Sequence, residues 1–225
     1  MIEAIKPEES TMQPQPLRID FVSDIACPWC AVGLSSLRLA LARLENEVEP
    51  EIVVHPFELN PDMAAGGENT VDYLCKKYGR TPEQVAQTQA MIRERGASVD
   101  FTFGPRTRVY NTFDAHRLMH WAGLQGEQLP LKLALLRAYH SDDKDVSNHD
   151  VLVEVAESVG LDPVEARAVL QRGDYAEQVR AEERDYQAKG IHSVPTIIFN
   201  RRYVLTGGQP VETFEQVIRE VLAAE

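Results

Sequence analysis

The chain alternates between apolar runs with two different periods. "LRIDFV", from Leu17 to Val22, alternates closely enough for a buried strand. Beyond it, "AVGLSSLRLALARLENE" places Leu34, Leu37, Leu41 and Leu44 three and four residues apart, which predicts a helix from near Pro28 that ends before Pro50. A second strand, "EIVVHPFEL", is expected from Glu51 to Leu59. A β-α-β order in so short a span favours a parallel pair joined by a helical crossover. The helical period then takes over. Segments are expected near 70–78, 82–95, 112–122, 127–140, 149–159, 163–171 and 174–188, punctuated by glycines such as Gly79, Gly96, Gly126, Gly160 and Gly173. Thr81 before Pro82, Asp162 before Pro163, and Ser147 or Asn148 supply starts. At the end, "VPTIIFN" and "RYVLTG" read as two strands linked tightly around Arg201, followed by the amphipathic helix "VETFEQVIREVLAA".

This order predicts an α/β protein: one mixed central sheet flanked by helices, split by a large all-helical insertion. The division drawn is an N-terminal flexible arm at 1–16, a sheet domain from 17–60 and 175–225, and a helical insertion from 61–174. No fixed-period repeat supports a solenoid.

Charge and cysteine usage narrow the function. With 35 acidic against 23 basic side chains the net charge is −12, a field that repels nucleic acid and anionic lipid. The opening residues lack the apolar core of a secretory signal and no run is long enough for a membrane span, so a soluble, cytoplasmic protein is expected. Only Cys27, Cys30 and Cys75 are present, too few for a disulfide framework.

Cys27 and Cys30 sit in "CPWC" at the junction of the first strand and helix. A thiol at the first turn of a helix meets unpaired backbone N–H groups and the positive end of the dipole, and Pro28 suits the first helical position. Helix-terminal CxxC cysteines fall from about 8.5 to roughly 3.5–7 in pKa. Cys27 is therefore expected to attack and Cys30, one turn in, to resolve. Zinc would need further ligands, which a lone Cys75 does not supply. Two inert buried thiols are the bland alternative. Pro195 opens the strand "PTIIF" and reads equally well as a cis residue that exposes the Val194 backbone or as a trans residue at a strand start.

"CPWC" after a strand, "SVPTIIF" about 165 residues later and "VLTGGQP" beyond it resemble the DsbA-like branch of the thioredoxin superfamily, in particular its cytoplasmic FrnE-like members, from about Leu17 to the C-terminus. The resemblance implies a thioredoxin-like fold, a cis Pro195 facing the cysteine pair, and a substrate-binding segment of Val194, Pro195 and Thr196. It implies thiol-disulfide exchange, with protein or small-molecule thiols as partners, no metal, and no cofactor beyond the redox disulfide, while leaving room for glutathione as a co-substrate. Asp24 is expected to cap the helix or relay a proton to Cys30, and Trp29 to offer apolar contact at the surface. "NT..AH", within "YNTFDAHRLMHWAG", is similar to a stretch of the related kappa-class glutathione transferase and 2-hydroxychromene-2-carboxylate isomerase group. That similarity places Asn111 and His116 on the cleft, where an N-cap and a solvated histidine explain them equally well. His116 and His120 at i and i+4 invite a metal, but no third ligand can be named. "HSDDKDVSNHD" lacks the glycine and closing glutamate of a calcium loop.

Three functions compete: a thiol-disulfide oxidoreductase, a glutathione-dependent isomerase or transferase of a small aromatic compound, and a binding module with a vestigial site. Retention of both cysteines favours the first. A couple near −200 mV facing a glutathione poise of about −260 mV is held as the dithiol by about 2.8 kcal/mol, which favours reduction or isomerisation of disulfides.

Overall fold

A computed structural model describes residues 13–64 and 66–224. Residues 1–12 of the expected arm lie outside it, and Gln15 and Pro16 are not an arm but the start of the first strand. Four strands form one mixed sheet: β1 (Gln15–Ser23), β2 (Val48–Pro56), β5 (Thr196–Phe199) and β6 (Tyr203–Thr206), in the order β2-β1-β5-β6. β1 runs parallel to β2, with Phe21 opposite Val54, and antiparallel to β5, with Phe21 opposite Ile197. The first helix, α1 (Pro28–Arg43), is the crossover between the parallel pair.

β2 begins three residues earlier than its apolar pattern suggests, and it contains Pro50, paired with Leu17. It is an edge strand, and an edge tolerates a residue with no N–H to donate. Its expected tail, Phe57 to Leu59, leaves the sheet, and the Leu59 N–H is used by Asp24 instead. Three residues, Asn200 to Arg202, link β5 to β6; the Arg202 N–H donates to the Phe199 carbonyl at 3.0 Å across Asn200 and Arg201, both with positive φ (47° and 58°).

Between β2 and β5 lie α2 (Thr70–Tyr78), α3 (Pro82–Ala97), α4 (Phe113–Leu124), α5 (Gln128–His140), α6 (His149–Ser158), α7 (Pro163–Arg172) and α8 (Ala176–Ala188); α9 (Val211–Ala223) closes the chain. Their starts follow from local chemistry. Thr81 accepts from the Gln84 N–H while the Gln84 side chain accepts from the Thr81 N–H, a complete capping box on α3. Asp162 and Asn148 cap α7 and α6, and each such cap contributes about 1 kcal/mol. A short pair of strands, β3 (Glu68–Asn69) and β4 (Arg108–Val109), ties the α2–α3 hairpin back to the loop before α4. At two residues each, they carry no periodic signal in sequence.

Among the described residues a small apolar core around Val22, Phe57 and Tyr186 accompanies two large ones. One unites the sheet with α1 and α9 through Phe21, Leu34, Leu37, Phe199, Phe214 and Ile218; the other fills the space among α4, α5, α6 and α7. α5 belongs to both. Leu131 and Leu135 face the helical core, whereas Leu136 packs with α1. The helix therefore joins the insertion to the underside of the segment that carries the cysteines.

Candidate active site

Cys27 occupies the N-cap of α1 in an extended conformation, Pro28 follows at the first helical position, and the Cys30 N–H bonds back to the Cys27 carbonyl at 3.1 Å. Both thiols are free. The pair is asymmetric. Cys27 lies at the edge of a cleft, whereas Cys30 is wholly buried. Hydrogen bonding from the Cys30 thiol holds Cys27 below its ordinary value, helped by the backbone N–H groups of Cys30 and Trp29 and opposed by burial and by the Asp24 carboxylate. Burial, then the neighbouring Cys27, push Cys30 well above its ordinary value. The Cys30 thiol and the N–H groups at the start of α1 act in the same direction on the Cys27 thiolate.

The Val194–Pro195 peptide is cis, and the Val194 carbonyl lies 3.6 Å from the Cys27 sulfur. Glycines allow this approach. A Cβ on Gly33 would stand 3.2 Å from Pro195 Cγ and 3.3 Å from Gly208 Cα, and one on Gly208 would stand 2.9 Å from the Trp29 carbonyl oxygen. The Gly207 N–H donates to the Pro195 carbonyl at 2.8 Å, closing the loop over α1. Thr196 is turned away from the cleft, its hydroxyl donating to the Ser193 carbonyl at 2.7 Å. Trp29 is half-buried on the cleft wall and also packs on the sheet core.

Asp24 makes no side-chain cap on α1. It is fully buried and accepts from the N–H groups of Ala26 (3.1 Å) and Leu59 (2.7 Å) and from the Thr112 hydroxyl (2.8 Å), with His116 Nε2 at 3.4 Å. Burial alone would raise this carboxyl, but His116 and the two backbone donors more than compensate and hold it low. The carboxylate is a hub that fixes the loop before Cys27 to α4 and to the loop after β2. His116 is correspondingly buried, not solvated. Asn111 accepts from the Phe113 N–H at 2.9 Å and donates to the Pro61 carbonyl, forming a turn just ahead of α4, whose N-cap is Thr112 and not Asn111. Neither Asn111 nor His116 lines the cleft beside Cys27. His120 lies against the Tyr175 ring, so the two histidines do not converge. Among the described residues no cluster of three or more His, Cys, Asp or Glu side chains could hold a metal ion.

The cleft has a volume of about 410 Å³. Cys27, Trp29 and Val194 form one wall, and Tyr73, Tyr78, Val85, Met91 and Ile92 from the α2–α3 hairpin form the other. Arg80, Arg93 and Arg106 add positive charge in a chain that is strongly acidic overall. Arg106 reaches the Ala26 carbonyl at 3.4 Å. Sequence reasoning singles out none of these hairpin residues, because nothing in a surface helix pattern says which helix folds over the cysteines. Cys75 lies half-buried on α2 and does not line the cleft.

Behind Asp24 lies a second buried cluster. Arg180 pairs with Glu58 and with Glu183 (2.9 Å), and its guanidinium covers the Phe113 ring at 3.9 Å. Burial and the adjacent Glu183 push the Glu58 carboxyl up to about 7. In the unfolded chain the same carboxyl releases its proton near 4.5. The fold therefore binds the proton more tightly, so this site's contribution to stability is full below about 4.5 and is lost as pH rises through about 7. Reduced by partial solvent screening, the loss is about 2–3 kcal/mol. Glu58→Gln, which keeps the shape of the protonated acid, should flatten that part of the profile. In chemical melts the variant should be the more stable protein above pH ~8 and not at pH ~5; equal stability at both would refute the assignment.

Lys132 also escapes sequence reasoning. Its only signal is a single cation inside "LPLKLALL", an otherwise apolar helical run. In the fold its side chain is fully buried beneath the site, with no hydrogen-bond partner for Nζ.

Comparisons with known proteins agree with this geometry. The family described as the DSBA-like thioredoxin domain matches residues 18–219. The uncharacterized protein YwbO of Bacillus subtilis is 25% identical over 206 residues, spanning 91% of this chain and 96% of that one. A probable DsbA oxidoreductase from Streptomyces coelicolor is 35% identical, covers 93% of this chain and 91% of its own, and superimposes with a TM-score of 0.87. A 2-hydroxychromene-2-carboxylate isomerase shares the fold at 12% identity, with a TM-score of 0.70 over 91% of this chain and 96% of that one. A thioredoxin-like sheet carrying a cysteine pair at a strand-to-helix junction, with a helical block inserted after β2, thus places this chain in the DSBA-like thioredoxin domain family.

Proposed function

We propose that this protein is a thiol-disulfide oxidoreductase in which Cys27 attacks and Cys30 resolves. The asymmetry of the pair carries the reading: one sulfur is anion-prone at a cleft, its neighbour sealed and protonated. Thiolate on Cys27 attacks a substrate disulfide, one substrate sulfur leaves as thiolate, and Cys30 then displaces the other to give the Cys27–Cys30 disulfide. Two electrons pass to the substrate. Val194 presents its backbone beside the reacting sulfur, which suits pairing with an extended chain. The substrates are protein or small-molecule thiols and disulfides, glutathione among them. The sparse cysteines suit a cytoplasmic setting, where the couple rests reduced.

The deciding experiment equilibrates wild type and Cys30→Ser with graded glutathione buffers and traps the thiols. A single two-electron transition is expected for wild type, and a persistent glutathione adduct on Cys27 for the variant. A variant that carries no adduct on Cys27 at any glutathione ratio would sink the assignment of roles.

A second reading, a glutathione-dependent isomerase or transferase of a small aromatic compound, draws on the cleft itself. About 410 Å³ walled by aromatic and apolar side chains, with three arginines, suits a small anionic compound. Under that reading glutathione supplies the reacting sulfur, and Cys27→Ser retains turnover.

A further inference from the structure

The resolving step just described needs a base, and the cleft cannot supply one because Cys30 is fully sealed from it. The candidates are the charged and titratable groups packed around that sulfur: Cys27 on α1, Asp24 in the loop before it, and Lys132 on α5, with His140 and Arg106 further along the same interface. Asp24 is already taken up by the backbone of Ala26 and Leu59, Thr112 and His116. His140 holds Nε2 on the Ile25 carbonyl at 2.8 Å; its Nδ1 has no partner either, but burial and the nearby Arg106 charge hold the imidazole well below its ordinary value, which makes it a weak base toward a thiol. Lys132 is different. It has zero exposure and an Nζ without a partner, on the helix that packs against α1. Leu136, one turn on, belongs to the core that holds Ala31, Val32 and Leu34 of α1, which α5 contacts, and His140, two turns on, anchors the loop before Cys27. Lys132 therefore lies on the face of α5 that is turned toward the cysteine helix.

Resting on the oxidoreductase reading, we propose that Lys132 is the internal base that deprotonates Cys30 during resolution of the mixed disulfide. An unpaired ammonium is costly to bury, so burial shifts this amine toward its neutral, proton-accepting form. The direction of its titration agrees: burial lowers Lys132, and Cys30 is the charge that most opposes this. In the step, Nζ takes the proton from Cys30 Sγ, and the new thiolate attacks the Cys27 sulfur. The Cys27–Cys30 bond forms as the bond from Cys27 to the substrate sulfur breaks. The substrate leaves as thiolate with the bonding pair, and the proton held by Lys132 passes to solvent.

The test mixes reduced protein with 5,5′-dithiobis(2-nitrobenzoate) and follows nitrothiobenzoate release by stopped flow, one equivalent for attack by Cys27 and a second for resolution by Cys30. For Lys132→Met the first phase should stay within about twofold of wild type, while the second slows about a hundredfold at neutral pH, the usual yield of a positioned base. The same variant should melt at a higher temperature, since an unpaired polar group has left the core. Lys132→Arg, which cannot give up its proton, should not restore the second phase. An unchanged second phase in Lys132→Met, or rescue by arginine, would overturn the role. If the variants do not fold, the wild-type second phase decides: it should reach a plateau once the internal base has lost its proton, and a tenfold rise per pH unit sustained to about pH 10 would mean that solvent hydroxide does the work. Absence of a second release from wild type would instead count against the oxidoreductase reading itself.

Discussion

Replacing Asp24 with alanine is expected to destabilise the protein by about 3–5 kcal/mol, because four donors lose their common acceptor in a site that water does not reach. A domain of this size loses about 2–4 °C in Tm per kcal/mol, so a drop of about 6–20 °C should appear in a thermal scan. The cost is large because the donors come from separate parts of the chain: the loop before Cys27, the loop after β2, and the start of α4. Asp24→Asn keeps the shape and one acceptor and should cost less. It also removes a negative charge that works against the Cys27 thiolate, so the Cys27 thiol should titrate lower in the variant by ultraviolet absorbance. A melting temperature for Asp24→Ala within a degree or two of wild type would show that the hub does not hold the site together.

Replacing Cys27 with serine is expected to reduce disulfide exchange on the order of a thousandfold or more, to the rate seen without protein. The hydroxyl stays protonated where the thiol ionises, and the buried Cys30 is sealed from any substrate. The fold should survive, since serine is nearly isosteric and Cys27 makes no side-chain cap on α1. Insulin reduction measured beside a melting curve separates loss of chemistry from loss of structure. Retained reduction would mean that another thiol carries the reaction, and the half-exposed Cys75 would then be the one to test.

Much of the architecture is legible because it is written in local chemistry. Most of the long helices have a 3.6-residue apolar period or a capping residue in the right place, and the starts at Thr81, Asn148 and Asp162 come from side chains that bond their own backbone. The start of the second strand is misread because Pro50 looks like a boundary, and only its position at the sheet edge makes it tolerable. The site is legible in part. "CPWC" identifies the cysteines and the resemblance marks Pro195, but Asp24 reads as a cap on its own helix. Its partners at Leu59, Thr112 and His116 lie 35, 88 and 92 residues away, beyond any local pattern.

By itself the sequence determined the order of the four sheet strands and the main helices, the capped helix starts, and two thiols at a strand-to-helix junction, since periodicity, capping and residue type act over a few positions. Only tertiary structure decided which thiol is shielded, which hairpin walls the cleft, and that an unpaired lysine lies beneath Cys30. Burial and electrostatics at those points are set by chain segments far apart in sequence, and their sum exists only once the layers have packed.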